Sequence, residues 1–364
     1  MRKLAHLQIL RTVAASLVVV DHSFTSLDFR GVPCSQYIKP GFLLGHLGVT
    51  AFFVVSGLIM VRQSSSRFGE ALSPIHFAYR RILRIVPMYW MATMFWFAHY
   101  LQWGKALARP KAQLLLSLCF IPNFIQNYGR MEPVLEPGWT LNYEMSFYLL
   151  FSFALFFPRR VGILILFVVP QLLAAWGHSH VLARSSVPGF YTDIIILCMA
   201  YGVLIGFLET ELKGLPQMNW RISPAFLLLI PTFLILAKPL TLGRSESWEV
   251  LSLFSTLVVL ACTLTAGNEQ FGWFGRTLVL LGDASFSTYL FHLFIYPTLF
   301  VVLAKIATLF HTTLRSPLLF AFAAVVVANG IGLVIHLGIE RPLTRTLQKF
   351  RFRSLKRIPS EIGQ

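Results

Sequence analysis

Apolar runs of about twenty residues recur along the whole chain, and that is the length a helix needs to cross a bilayer. Hydrocarbon offers no partner to an unpaired backbone group, so only helices and closed barrels span it. The runs are continuous rather than alternating, which excludes a barrel and predicts an all-α polytopic bundle. About ten transmembrane helices are expected, near 6–25, 42–62, 87–104, 139–157, 161–177, 192–208, 222–237, 249–266, 285–304 and 317–339. Composition agrees: 56% of the 364 residues are hydrophobic and 13% charged, with a mean hydropathy of +0.67. A soluble protein of this length could not hide that much apolar surface.

The segment 112–122 is too short to cross and is followed by Asn123, Asn127 and Gly129. An eleventh crossing would carry the cationic stretch Arg341–Arg357 outside, against the positive-inside rule, so 112–122 is expected to be re-entrant or interfacial. Both termini are then cytoplasmic, with no cleaved signal peptide and the first span as an uncleaved anchor. Residues 1–345 form one transmembrane domain and 346–364 a basic cytoplasmic tail. The external segment 105–138 is a long loop over the bundle, either a substrate entrance or a packing lid.

The net charge of +16 points to a membrane surface or an anionic ligand. Nucleic acid is not expected, because no basic domain stands outside the membrane segments. Cys34, Cys119, Cys198 and Cys262 lack metal spacing and read as small packing residues, and His178 and His180 lack companion ligands. No metal site is predicted.

Arg11 and His22 lie eleven positions apart inside the first span. At about 100° per residue the second side chain returns to within roughly 20° of the first, so both project from one face about 16 Å apart. A charge within a membrane helix costs about 3 kcal/mol or more, and such residues mark function or pair with a partner. A fixed cation at one depth and a titratable base at another can hold an elongated anionic ligand and deprotonate a group at its far end. The competing reading has Arg11 snorkelling to the surface and His22 ending the span.

In this topology Glu144 in the fourth span is expected at the depth of His22, where a carboxylate fixes an imidazole's tautomer and raises its basicity. Asp21 points about 100° away from its neighbour His22 and is the poorer partner. Glu144 could instead pair with Arg11 or another buried cation. Arg80, Arg81 and Arg84 form a basic turn before Pro87 and Tyr89–Trp90; Arg80 and Arg84, one turn apart, could cradle phosphates or simply anchor at lipid headgroups. Ser56–Gly57 gives a small-residue notch for a helix or a thin ligand. Ser285, Tyr289 and His292 share a face by i, i+4, i+7 spacing and should look into the bundle, as helix glue or as substrate contacts. Trp139 opens the fourth span. Glu340, Arg341 and Pro342 read as the cap of the last span.

Six stretches together resemble the acyltransferase-3 family of membrane acyltransferases. They are LQILRTVAASLVVVDHS, GVTAFFVVSGLIM, RRILRIVPMYW, EPGWTLNYEMSFYLLF, FSTYLFHLFIY and IERPL, in family order across nearly the whole chain. The short length and the GWTLNYE stretch look most like the branch that O-acetylates exopolysaccharide repeat units of the succinoglycan type. The resemblance implies transfer of an acyl group, usually acetyl, from acyl-CoA as co-substrate, with no permanently bound cofactor, onto a sugar hydroxyl. Arg11 and His22 match the family's essential pair and Glu144 its acidic position. Arg80, Arg81 and Arg84 match its basic motif, implying a CoA-phosphate site that Ser56 would border. Trp139, Tyr289 and His292 are then candidate acceptor contacts. Acyl-CoA, membrane lipids and a saccharide, polyprenyl-linked or free, are the implied partners, and the cell inner membrane is the implied location. A transporter or flippase of lipid-linked saccharides is the rival reading, as is the same chemistry on lipopolysaccharide, peptidoglycan or a secondary metabolite.

Overall fold

The first helix carries Arg11, Thr12, Ser16, Asp21, His22 and Ser23 among its apolar residues, a set too polar to face lipid, and it lies at the centre of the bundle. The computed structural model describes residues 5–102, 109–125, 130–180, 186–212, 223–230, 244–265, 271–309 and 316–355. The chain runs through helices α1 (Ala5–Asp28), α2 (Ser35–Ser64), α3 (Ser73–Gln102) and the short α4 (Pro110–Leu118). A ribbon of two two-residue antiparallel strands, β1 (Phe124–Ile125) and β2 (Arg130–Met131), and a 3-10 turn at Glu136–Gly138 lead into α5 (Trp139–Ala154). There follow α6 (Arg159–Ser179), the single turn α7 (Val187–Tyr191), α8 (Ile196–Glu211), a 3-10 segment Pro224–Leu228 and α9 (Arg244–Leu264). The last elements are α10 (Trp273–Asp283), α11 (Ser285–Phe291), α12 (Ile295–Leu309), α13 (Pro317–Ile335) and α14 (Arg341–Leu355).

The protein is an all-α polytopic membrane bundle. Six described helical segments are long and apolar enough to cross a membrane: Ala5–Asp28, Ser35–Ser64, Arg159–Ser179, Val187–Glu211, Ser285–Leu309 and Pro317–Lys349. Half of the sequence-expected span 222–237 lies outside the described residues, as do 103–104 and 266 at the ends of two others; the described parts of the other expected spans fall mainly on helix. The segment expected not to cross is α4, whose nine residues reach only about 14 Å. It is held by Tyr89 Oη donating to Ser117 O (3.1 Å), Trp90 Nε1 donating to Leu118 O (2.9 Å) and Val134 N donating to Ser117 Oγ (2.9 Å).

Burial falls from the inside out. The apolar window of α2 is 72% buried and that of α6 only 22%, so α6 is a peripheral helix facing lipid. α1 packs most extensively on α2, and α2 next on α8. Two glycines permit the second contact. A Cβ on Gly57 would lie 2.1 Å from Met199 O, and one on Gly202 would lie 2.0 Å from Val54 O. Small residues that let backbones approach are how helices associate where lipid removes the hydrophobic driving force. Gly57 of the expected notch therefore packs a helix. Polar side chains tie α1 to its other neighbours: Thr12 Oγ1 donates to Leu278 O (2.7 Å), Asn329 Nδ2 to Ser16 Oγ (3.1 Å) and Tyr296 Oη to Val19 O (2.8 Å). Cys34, Cys198 and Cys262 are buried thiols, whereas Cys119 is exposed.

The expected ninth span is not one continuous helix. It breaks at a 3-10 turn, His292–Phe294, between α11 and α12. The C-terminal crossing changes pitch at a π-helical turn, His336–Glu340, where a simple cap was expected. Glu340 Oε2 there accepts hydrogen bonds from Ser287 Oγ (2.6 Å) and His336 Nδ1 (2.8 Å), joining this turn to α11.

Candidate active site

The basic segment of α3 divides by face. Phe77, Arg81, Ile85 and Met88 are buried, which is the i, i+4, i+8, i+11 stripe of a helix packed inward, whereas Arg80 is exposed. Arg81 and Arg84 line a cavity between the helices. Arg11 of α1, Ser56 of α2, Thr140 and Glu144 of α5, and Ser285 and Tyr289 of α11 line the same cavity. The rest of its wall is mostly apolar, including Phe52, Phe53, Ile59 and Phe286. Five helices thus meet at one space. Arg80, expected in the cradle, is not in the lining; the paired cations are Arg81 and Arg84.

Three guanidiniums and one carboxylate face this space. Among the described residues Arg11, Arg81 and Arg84 form no ion pair with a carboxylate within 4.0 Å. Arg11 Nη1 donates to Gln8 Oε1 (3.2 Å). Arg81 Nη2 donates to Gln63 Oε1 (3.0 Å), and its guanidinium lies over the rings of Phe77 and Tyr148. Arg11 has therefore neither snorkelled out nor been neutralised. Glu144 Oε1 accepts from Ser56 Oγ (3.3 Å) and from Tyr148 Oη.

His22 is absent from the cavity lining and stands just beyond it. The ring of Tyr289, on the cavity wall, lies 6.1 Å from that of His292, which in turn meets His22 edge-on at 4.9 Å. The carboxylate beside His22 is not Glu144. Glu136 Oε1, in the 3-10 turn ahead of α5, lies 4.0 Å from His22 Nε2. The expected pairing of Glu144 with His22 is thus replaced by Glu136, while Glu144 stays with the arginines. His22 Nδ1 is 3.0 Å from Val18 O, and a carbonyl can only accept, so Nδ1 carries the proton and Nε2 the basic lone pair. His292 repeats the arrangement: Nδ1 donates to Tyr289 O (2.7 Å), and Nε2 is buried with no hydrogen-bond partner among the described residues. The adjacent Asp21 packs toward α2, where a Cβ on Gly45 would lie 2.1 Å from Asp21 Oδ2.

Tyr289 Oη donates to Pro137 O (2.9 Å), and its oxygen lies 2.8 Å from Thr140 Oγ1. Ser285, Tyr289 and His292 are all buried, as the spacing predicted, although the helix break sends His292 toward His22. Trp139 is half-buried and meets Tyr143 edge-on at 5.9 Å. Among the described residues no group of three or more His, Cys, Asp or Glu is placed to hold a metal ion.

Three guanidiniums without carboxylate ion pairs among the described residues, and a pair of imidazoles, are thus held inside the bundle. The family model described as an acyltransferase domain matches residues 4–337, and the chain belongs to this acyltransferase-3 family. It is 34% identical over 319 residues to the exopolysaccharide production protein ExoZ of Rhizobium meliloti (strain 1021), covering 84% of this chain and 91% of that protein. No solved structure matches it. The protein is therefore a multi-pass membrane O-acyltransferase, and the transporter reading gives way to this membership.

Proposed function

We propose that this acyltransferase moves a short acyl group, acetyl in the first instance, from acyl-CoA to a sugar hydroxyl of an exopolysaccharide in the cell inner membrane. The observation that carries the donor assignment is the cavity in which Arg11, Arg81 and Arg84 face inward without carboxylate ion pairs. Guanidiniums in that state suit a phosphorylated ligand, and planar donors bind phosphate oxygens in pairs. The apolar remainder of the wall suits the pantetheine arm. Ser56 and Tyr148 hold Glu144 as the counter-charge that spaces the arginines.

The thioester end lies past Tyr289, beside His22. His22 Nε2 takes the proton from the acceptor hydroxyl as its oxygen attacks the thioester carbonyl. The carbon–sulfur bond breaks, and the proton passes from His22 to the departing CoA sulfur. A positioned base of this kind contributes about 10²–10⁴ in rate. His292 Nε2 is the hydrogen-bond acceptor for the sugar, and Trp139 offers an aromatic surface to it. The acceptor assignment draws on the name of the relative, an exopolysaccharide production protein, and a polyprenyl carrier would hold such a saccharide at the bilayer. Residues 1–345 form the catalytic unit with both ends cytoplasmic, and 346–364 a basic tail that favours anionic lipid.

The test is labelled acetyl-CoA supplied to inverted membrane vesicles. Label is expected in polysaccharide from the wild type and about 10²–10⁴-fold more slowly from His22→Gln at equal protein. Transfer at the wild-type rate by His22→Gln would end the base assignment, and absence of label from acetyl-CoA with any acceptor would end the donor assignment.

A further inference from the structure

The turn ahead of α5 is held more firmly than a connecting loop requires. Glu136, Pro137 and Gly138 form one 3-10 turn closed by Gly138 N donating to Leu135 O (2.9 Å). The Pro137 carbonyl accepts from Tyr289 Oη at 2.9 Å and from Thr140 Oγ1 at 3.0 Å. Gly138 fits against Tyr89 so closely that a Cβ would lie 2.7 Å from its ring. Pro137 and Gly138 are buried, and Glu136 is half-buried beside His22. Every tie falls next to Glu136, so its carboxylate is carried on a fixed backbone.

The geometry points to Glu136 as the positioning residue for His22, which deepens the reading of His22 as the base and rests on it. The Val18 carbonyl fixes the His22 ring by Nδ1 and leaves Nε2 facing Glu136 Oε1 across 4.0 Å. That separation exceeds a direct hydrogen bond, so in the resting state Nε2 stays free to accept the acceptor hydroxyl. Once Nε2 takes that proton, the ring carries a positive charge opposite a fixed negative one. The carboxylate thus acts on the protonated state formed during transfer rather than on donor binding. His292 closes the other side of the ring with no charge of its own in its Nδ1-protonated form. Glu144 has no part in this; it stands in the donor cavity.

The experiment compares Glu136→Gln, Glu136→Asp, Glu136→Ala and His22→Gln in full-length protein, using labelled acetyl-CoA turnover at matched folded protein. Glu136→Gln should lower kcat about 10–100-fold with KM for acetyl-CoA within about twofold, and Glu136→Asp should recover part of the loss. Sodium formate should raise turnover by Glu136→Ala and leave His22→Gln unchanged, a readout that damage to packing would not give. Adding Glu136→Gln to His22→Gln should cost nothing further. Wild-type kcat in Glu136→Gln, a loss confined to KM, or a further loss in the double variant would overturn the proposal. Should Glu136→Gln not accumulate, Glu136→Asp carries the test, with lowered kcat at unchanged KM as the supporting result and wild-type kcat as the contrary one. Full activity in His22→Gln would sink the base assignment itself, whereas an inactive His22→Gln beside a fully active Glu136→Gln would sink only the role of Glu136.

Discussion

Replacing Arg84 by Gln should weaken donor binding through the phosphates alone. Arg84 lines the cavity with Arg81 and Arg11 and is not neutralised by a carboxylate within 4.0 Å among the described residues. A hydrogen bond to a charged group contributes about 1.5–3 kcal/mol, which converts to a rise of about 10–150-fold in KM for acetyl-CoA. S-acetylpantetheine lacks the phosphates, so its KM should change by less than about twofold. Arg80→Gln supplies the control: four residues away and equally charged, but exposed and outside the lining, it should leave both values near wild type. The assay is steady-state release of free thiol in vesicles or detergent with each donor. An equal loss for both donors would mean that Arg84 supports the fold rather than the phosphates, and identical behaviour of the two variants would refute the face assignment of α3.

The two carboxylates should separate in kinetics: Glu144→Gln should alter KM for acetyl-CoA with kcat within about fivefold, far less than loss of a positioned base or its partner costs, and an equal fall in kcat would return Glu144 to the side of His22. Gly202→Val should lower the melting temperature in detergent, because its Cβ would lie 2.0 Å from the Val54 carbonyl and overpacking costs about 1–3 kcal/mol; an unchanged melting temperature would contradict the close α2–α8 contact. Ser287→Ala removes one of the two hydrogen bonds to Glu340, worth about 1.5–3 kcal/mol, and should destabilise the protein while leaving KM for acetyl-CoA unchanged, since Ser287 does not line the cavity.

Hydropathy located the six described spans because crossing a bilayer demands long apolar helices, and the eleven-residue interval placed Arg11 and His22 on the inward side of α1 because an inward face is the tolerable place for both. Pairing Arg80 with Arg84 by their one-turn spacing passed over the apolar stripe of Phe77, Ile85 and Met88 that carries Arg81 inward, about 100° from Arg80. The partner of His22 was not legible in the sequence. Its location depends on a 3-10 turn pinned by Tyr289, 152 residues away in the chain, and no local pattern signals that tertiary bond. Treating residues 105–138 as one loop over the bundle gave Glu136 no role, because the charged Glu132 and Pro133 ahead of it disguise a run, Met131 to Leu135, that packs inside the protein. The break at His292 escaped detection for a similar reason, since its residues are apolar enough to continue a helix and the turn is set by packing.

The most direct measurement is an experimentally determined structure of the protein with a non-transferable acetyl-CoA analogue. The phosphates are expected against Arg81 and Arg84, the pantetheine arm along Arg11 and Ser56, and the acyl carbonyl past Tyr289 within reach of His22 Nε2, and this placement is the central prediction. A nucleotide bound on another surface, or an acyl group left on the cavity side of Tyr289 away from His22, would contradict it.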